Sequence, residues 1–365
     1  MTRCNKCLLT DSLIGSNFNN QGECYWCRTN FPNYNPKGVE KLKIKINENK
    51  REKSDIDCLV GLSGGKDSSY ALMKLKNELN LRVEAFIYIH EGSTKFSIDN
   101  AELICKELDV KLHKVSLKKN AHLKSFKSFF KAWLDSPSTI KTGMTCVACK
   151  HLHILGLEIA KRRNIPMIVW STSPLEYSPF LAIQYKPSES NQFKRESLLK
   201  SASMLFKETL SSPKFTLGIL QNFKTSYLGS LAAFPTSGYL KRKYPSVTPI
   251  MFYDYYNWNP KEIIKELESK TSWRIPDYIS DDWHSDCVFN IFKEYMFQKM
   301  LGVTYTDAHL SNQIRYGIIS REEAVVQLRK SKMRLPFQLK EALKELDLDY
   351  LSDRIDFDCF NEEIE

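Results

Sequence analysis

No apolar run in this 365-residue sequence reaches the ~20 residues of a membrane span, and its start, MTRCNKC, is polar where a signal peptide would be apolar. A soluble, cytoplasmic protein is expected. Repeats and long low-complexity segments are also missing, so the reading is one catalytic domain with one or two small additions. Without an export signal, the ten cysteines read as metal ligands or catalytic groups rather than disulfides. The net charge of +10 is unevenly spread: residues 111–163 hold 12 Lys or Arg against Asp135 and Glu158, and residues 340–365 hold 10 acids against 3 bases. A basic surface near the middle and an acidic tail follow.

Residues 1–33 form a cysteine-bearing head, and the Lys/Asn-rich connector 34–55 reads as a linker or an edge hairpin. The run 56–62 suits a buried strand, and Ala71, Leu72, Leu75 and Leu79 have helical spacing. Strand-like stretches at 83–89, 110–117 and 167–172 then alternate with helix-like ones at 98–108, 122–134 and 148–163. Alternation of this kind predicts an α/β fold, a mainly parallel sheet with helices on both faces. The pattern weakens over 173–246, a basic, Ser-rich and aromatic stretch. Helices are expected again from Pro260 and over 287–301, 308–316 and 321–330. The expected units are therefore a head at 1–33, a connector at 34–55, a catalytic domain at 56–250 and a helical C-terminal region at 251–365.

The most informative segment is Ser63, Gly64, Gly65, Lys66, Asp67, Ser68 and Ser69, between a strand and a helix. Two glycines let backbone amides approach an anion, the helix N-terminus adds partial positive charge, and Ser63, Lys66 and Ser68 supply further donors. Pyrophosphate is the expected guest. The common nucleoside-triphosphate loop needs Gly-Lys followed by Ser or Thr, with a glycine five positions earlier, and Asp67 and Val60 break that pattern.

Two sets of cysteines stand out. Cys4-x2-Cys7 and Cys24-x2-Cys27, sixteen residues apart, have the spacing of a four-thiolate zinc site in a zinc-ribbon-like head. A head this short has little core, so zinc would supply much of its folding free energy. Cys146-x2-Cys149 and the distant Cys287 form a second set of three, which leaves one metal position open. Cys146, read near a helix N-terminus in a basic region, would favour thiolate. Cys58, Cys105 and Cys359 are assigned to packing or exposure.

The loop resembles the SGGxDS signature of the pyrophosphate-loop ATP pyrophosphatases, an adenine nucleotide alpha hydrolase-like superfamily that includes tRNA-thiolating enzymes, ammonia-using synthetases and sugar amidotransferases. That resemblance implies that ATP and Mg2+ bind, that the substrate is adenylated and pyrophosphate leaves, and that Asp67 helps position magnesium or the phosphates. It also implies that Tyr88 or His90, ending the next strand, lies near the adenosine. Over most of the chain, including the cysteine head and the string DAHLSNQIRYGIISREEAVVQL at 307–328, the sequence resembles the N-acetyl sugar amidotransferases of surface-polysaccharide synthesis, which implies ammonia from a partner glutaminase. Two features depart from that pattern. Lys66 stands where those relatives have an apolar residue, and Cys146, Cys149 and Cys287 resemble the set that holds a 4Fe-4S cluster in the tRNA 2-thiolation enzymes. The expected activity is therefore ATP-dependent sulfur transfer, with Lys66, Asp67 and the three cysteines as catalytic groups, and nitrogen transfer as the alternative. The acceptor is a small molecule or a tRNA, and the partner a sulfur donor or a glutaminase. A zinc-containing nucleic-acid-binding protein using the basic stretch 111–163 is a third reading, and it leaves the phosphate loop unexplained.

Overall fold

The computed structural model describes residues 2–13, 15–29, 34–176, 203, 205–275 and 286–361. The end of the expected head at 30–33, much of the Ser-rich stretch at 177–202 and the acidic end at 362–365 lie outside the described residues.

Five strands, β1 (Cys58–Gly61), β2 (Val83–Tyr88), β3 (Lys111–Val115), β4 (Met167–Trp170) and β5 (Thr248–Met251), form one sheet in the order β3-β2-β1-β4-β5. Every pairing is parallel, as the α/β reading expected. The chain starts at the centre, runs outward through β2 to β3, then returns to place β4 on the other side of β1. That reversal opens a crevice at the carboxyl ends of β1 and β4, the usual ligand position in such sheets.

Because successive side chains alternate across a strand, the sheet feeds two cores. Helices α1 (Tyr25–Thr29), α2 (Val39–Asn49), α3 (Lys66–Met73), α4 (Lys95–Glu107) and α5 (Ala121–Asp135) come first in chain order among the described residues. Cys58, Val60, Val83, Ala85, Ile87, Met167 and Val169 join one cluster with Ala71 and Leu72 of α3 and Ala101 and Ile104 of α4. Leu59, Phe86, Ile168 and Trp170 join the other, against Ile154, Leu157 and Ala160 of α7 (His151–Arg162). Burial of each such side chain contributes about 1.5–3 kcal/mol, so the apolar runs of β1 and β4 commit them to the centre.

Three elements differ from the sequence reading. The connector read as a linker or edge hairpin carries an 11-residue helix, Val39–Asn49, whose Leu42 and Ile46 are buried. β5 falls where no strand was expected. The helix expected over 321–330 runs on as Arg321–Glu345, past Pro336.

The head docks on the C-terminal helices. Leu9, Leu13 and Trp26 pack with Phe297, Val303 and Ala308. Beside them the fully buried Asp307 carboxylate accepts from Arg3 at 2.6 Å and faces Lys332 at 3.6 Å, so one charge ties the head to two helices. No helix among the described residues is long and apolar enough to cross a membrane.

Candidate active site

β1 ends at Gly61 and the chain turns through Ser63, Gly64 and Gly65 into α3. At Gly64 φ is +81°, and a Cβ there would meet the Ser97 carbonyl oxygen at 1.8 Å, so the turn requires glycine. Hydroxyls close the loop: the Ser63 amide donates to Ser68 Oγ at 3.0 Å and the Gly65 amide to Ser63 Oγ at 3.3 Å. Ser63, Gly65, Lys66, Asp67 and Ser68 line a cavity of about 360 Å³ at the crevice. Gly64 and Ser69, expected among the ligand-binding residues, do not line it. Gly64 turns its carbonyl to the Trp273 indole N–H at 2.8 Å, and Ser69 is fully buried behind the loop.

The acidic residue of the loop is held before any ligand arrives. Trp258 Nε1 donates to Asp67 Oδ1 at 2.8 Å, and the Tyr253 hydroxyl donates to the Asp67 carbonyl at 3.2 Å. The nearly buried Lys66 lies 3.4 Å from Asp67 Oδ2, with its ammonium 5.7 Å from the Trp258 ring. Tyr253, Trp258 and Trp273 were not read as site residues, since they follow the loop by about 190 residues or more and carry no motif.

Two further carboxyls face the loop from the cavity wall, and sequence reasoning missed both. Burial pushes Glu176, in the turn after β4, up to about 8, with the Asp67 charge adding to the shift and Lys66 opposing it. Asp286 is also pushed up by burial, while a hydrogen bond from Ser63 favours its charged form. Their positions carry the only available signal: one follows a strand at the point of sheet reversal, the other precedes Cys287.

Cys146, Cys149 and Cys287 line this same cavity. Cys146 caps the C-terminus of α6 (Thr139–Thr145), its amide donating to the Gly143 carbonyl, and also stands two residues before the helical stretch that begins at Ala148, near the helix N-terminus expected of it. The short α6, opened by the Ser138 side-chain cap, ends there before a 3-10 turn that carries Cys149 leads into α7. Cys287 is joined to the turn after β2 through an antiparallel bridge with Ser93. Burial raises the Cys149 and Cys287 thiols. Lys293 faces them: burial works against its charge, but Cys146, Tyr305, Cys287 and Cys149 hold its ammonium above the usual range. Tyr88 and His90, expected near adenosine, also line the cavity, with His122 beside them at a ring distance of 4.3 Å from His90. Burial pushes His90 down to about 4 and His122 down to about 2, so both rings are neutral at pH 7.

The head is built differently. Cys4, Cys7, Cys24 and Cys27 form the one set of three or more His, Cys, Asp or Glu among the described residues whose ligand atoms all lie within 4.8 Å of one another. Cys4 and Cys27 sulfurs are 3.9 Å apart, and Cys7 and Cys24 sulfurs 3.6 Å. A tetrahedron with Zn–S bonds of about 2.3 Å has edges of about 3.8 Å, so the four sulfurs fit a single tetrahedral ion. Cys58 and Cys105 are buried in the sheet core, in keeping with a packing role.

Residues 56–154 match the family model described as tRNA methyl transferase HUP domain. A nucleotide-binding fold is thereby indicated for that stretch. It takes in β1 to β3, the loop, Cys146 and Cys149, and leaves out the head, β4, β5 and Cys287. A comparison with curated proteins found no match. Among solved structures, the chain is similar to the U34-tRNA thiolase NcsA from Methanococcus maripaludis with its 4Fe-4S cluster, at 13% identity and a TM-score of 0.33, over 98% of this chain and 91% of that one. It is similar to the NMN synthetase of Francisella tularensis at 12% identity and a TM-score of 0.36, over 86% and 97%. It is also similar to the NH3-dependent NAD synthetase of Campylobacter jejuni subsp. jejuni NCTC 11168, at 16% identity and a TM-score of 0.29, over 54% and 95%.

Proposed function

We propose that the chain is a pyrophosphate-loop ATP pyrophosphatase that adenylates a carbonyl oxygen of its substrate and replaces it with sulfur. The observation that carries this reading is that Cys146 and Cys149 from one segment and Cys287 from another far along the chain open onto the same cavity as the Ser63–Ser68 loop. The β and γ phosphates of ATP sit at the N-terminus of α3 beside Lys66, whose charge balances theirs. Asp67, held by Trp258 and Tyr253, takes part in binding Mg2+ with the phosphates. The substrate carbonyl oxygen attacks the α phosphorus and pyrophosphate leaves with the bonding electron pair. Sulfide then adds to the adenylated carbon, and AMP departs with the original oxygen to leave a thiocarbonyl.

Three thiolates that do not close around one ion suit a cluster, in which each sulfur binds a different iron. A 4Fe-4S cluster bound by Cys146, Cys149 and Cys287 would supply one iron with an open position for sulfide. Lys293 balances the negative charge of the thiolates, and the apolar wall formed by Phe289 and Trp170 limits water at the activated carbon. The head, residues 1–33, holds zinc through Cys4, Cys7, Cys24 and Cys27 and serves folding, while the chemistry belongs to 56–250 with Cys287 supplied from beyond it. The match of 56–154 to a tRNA methyl transferase HUP domain supports a tRNA acceptor, and the sulfur comes from a donor protein.

The test is product analysis. ATP turnover yields AMP and pyrophosphate, and ADP as product would overturn the reading. With ATP and acceptor present, sulfide supports product and ammonium does not. Activity with ammonium and none with sulfide would make the chain an amidotransferase fed by a glutaminase, acting on an N-acetylated sugar.

A further inference from the structure

Cys287 reaches the cavity from far along the chain, and the turn that follows β2 receives it. Val288 donates its amide to the Gly92 carbonyl at 2.8 Å, and Thr94 donates to the Asp286 carbonyl at 3.2 Å, so backbone bonds on both sides clamp Cys287 against residues 90–94. Within that turn the His90 amide donates to Ser93 Oγ at 3.0 Å, and the Gly92 amide donates to His90 Nδ1 at 3.1 Å. The ring is stacked on Phe289 with centroids 5.3 Å apart and planes 12° apart. Its other nitrogen, Nε2, lies 3.9 Å from the Cys287 sulfur.

The Gly92 amide can only donate, so Nδ1 must accept, and in a neutral imidazole the proton is then on Nε2. We propose that His90 is a positioning residue that donates a hydrogen bond from Nε2 to the Cys287 sulfur, orienting this third sulfur and stabilising negative charge on it. This role rests on the sulfur-transfer reading only for what the bond tunes. An N–H donated to a ligand sulfur favours the more negative, reduced state of a cluster and so raises its reduction potential.

Two measurements on the full chain test the proposal. In metal-free protein labelled with 15N-histidine, the His90 signal, assigned by its loss in His90→Phe, shows the Nε2–H tautomer, and Cys287→Ala shifts the Nε2 resonance more than Nδ1. An Nδ1–H tautomer, or no response to Cys287→Ala, overturns the assignment. In protein reconstituted with iron and sulfide, His90→Phe keeps a ring on Phe289 but removes the donor, and the reduction midpoint moves to more negative potential with iron content unchanged. An unmoved midpoint at full iron content overturns the tuning role. If no iron is taken up, the sulfur-transfer reading fails alone, and the tautomer still decides whether His90 donates to Cys287.

Discussion

Cys4, Cys7, Cys24 and Cys27 draw their sulfurs together inside an apolar shell of Leu9, Leu13, Trp26 and Phe297, whereas Cys146, Cys149 and Cys287 stand around a cavity they share with a phosphate-type loop. The first set has the four ligand atoms a tetrahedral ion takes, which would leave no position for a substrate. The second shares the wall of one cavity with Lys66, Asp67 and Lys293. The difference teaches that Cys-x2-Cys spacing fixes a local turn but not its use. On the proposed reading, a second pair close by would close a structural site, and a single distant cysteine would leave an open one.

The comparison breaks most visibly at the head. Cys24→Ala should abolish zinc binding and lower the melting temperature by ~10 °C or more, because structural zinc contributes about 10–16 kcal/mol in small zinc domains and part of that is folding free energy here. Full zinc content with unchanged melting would show that the four sulfurs are not a metal site. Next in size are Lys66→Ala and Asp67→Ala, each expected to reduce AMP formation well over tenfold while zinc content and melting stay near wild type; steady-state turnover with a calorimetric scan checks both. Trp258→Phe sharpens the cavity side further. It removes one N–H to a carboxylate, worth about 1.5–3 kcal/mol, so AMP formation should fall by about ten- to a hundredfold, with binding of free Mg2+ and nucleotide weakened together.

The smallest effect concerns acid. The head has no histidine, and the buried His153, whose ring bonds to the Ala232 carbonyl at 2.7 Å, is pushed down to about 4 by burial. Below pH 6.5 the unfolded chain therefore takes up a proton that the folded one refuses. His153's contribution is complete above that pH and is lost as pH falls toward 4. His153→Gln should flatten the stability profile in this window and leave the zinc content at pH 7 unchanged. An unaltered profile would place the acid sensitivity elsewhere.

Much of the sheet was legible because β1 and β4 are short continuous apolar runs and β2 follows at βαβ spacing. The loop was legible because its two glycines, lysine and serines sit between a strand and a helix, a context few other uses share. β5 was not, since Thr248–Met251 contains Pro249, which only an edge strand accepts, and so offers no strand pattern. Helix Val39–Asn49 hid behind its lysines, with Leu42 and Ile46 buried in the core and Val39 packed against it. Helix Arg321–Glu345 hid behind Pro336, which propensity alone would take as a break. Within the site, the donors to Asp67 and the carboxyls Glu176 and Asp286 escaped notice because tertiary folding alone brings them to the loop. The helix that Cys146 caps at its other side, Thr139–Thr145, was not legible because seven residues are too few to leave a periodic trace.

Whether the open cysteine set carries sulfur chemistry is decided by the visible absorption and metal content of protein purified without oxygen. A brown chromophore with about four irons per chain is expected. Cys146→Ala, Cys149→Ala and Cys287→Ala should each lose it together with product formation, while zinc in the head is retained. A colourless protein without iron, whose three variants still form product from ATP and ammonium, would contradict sulfur chemistry at this set.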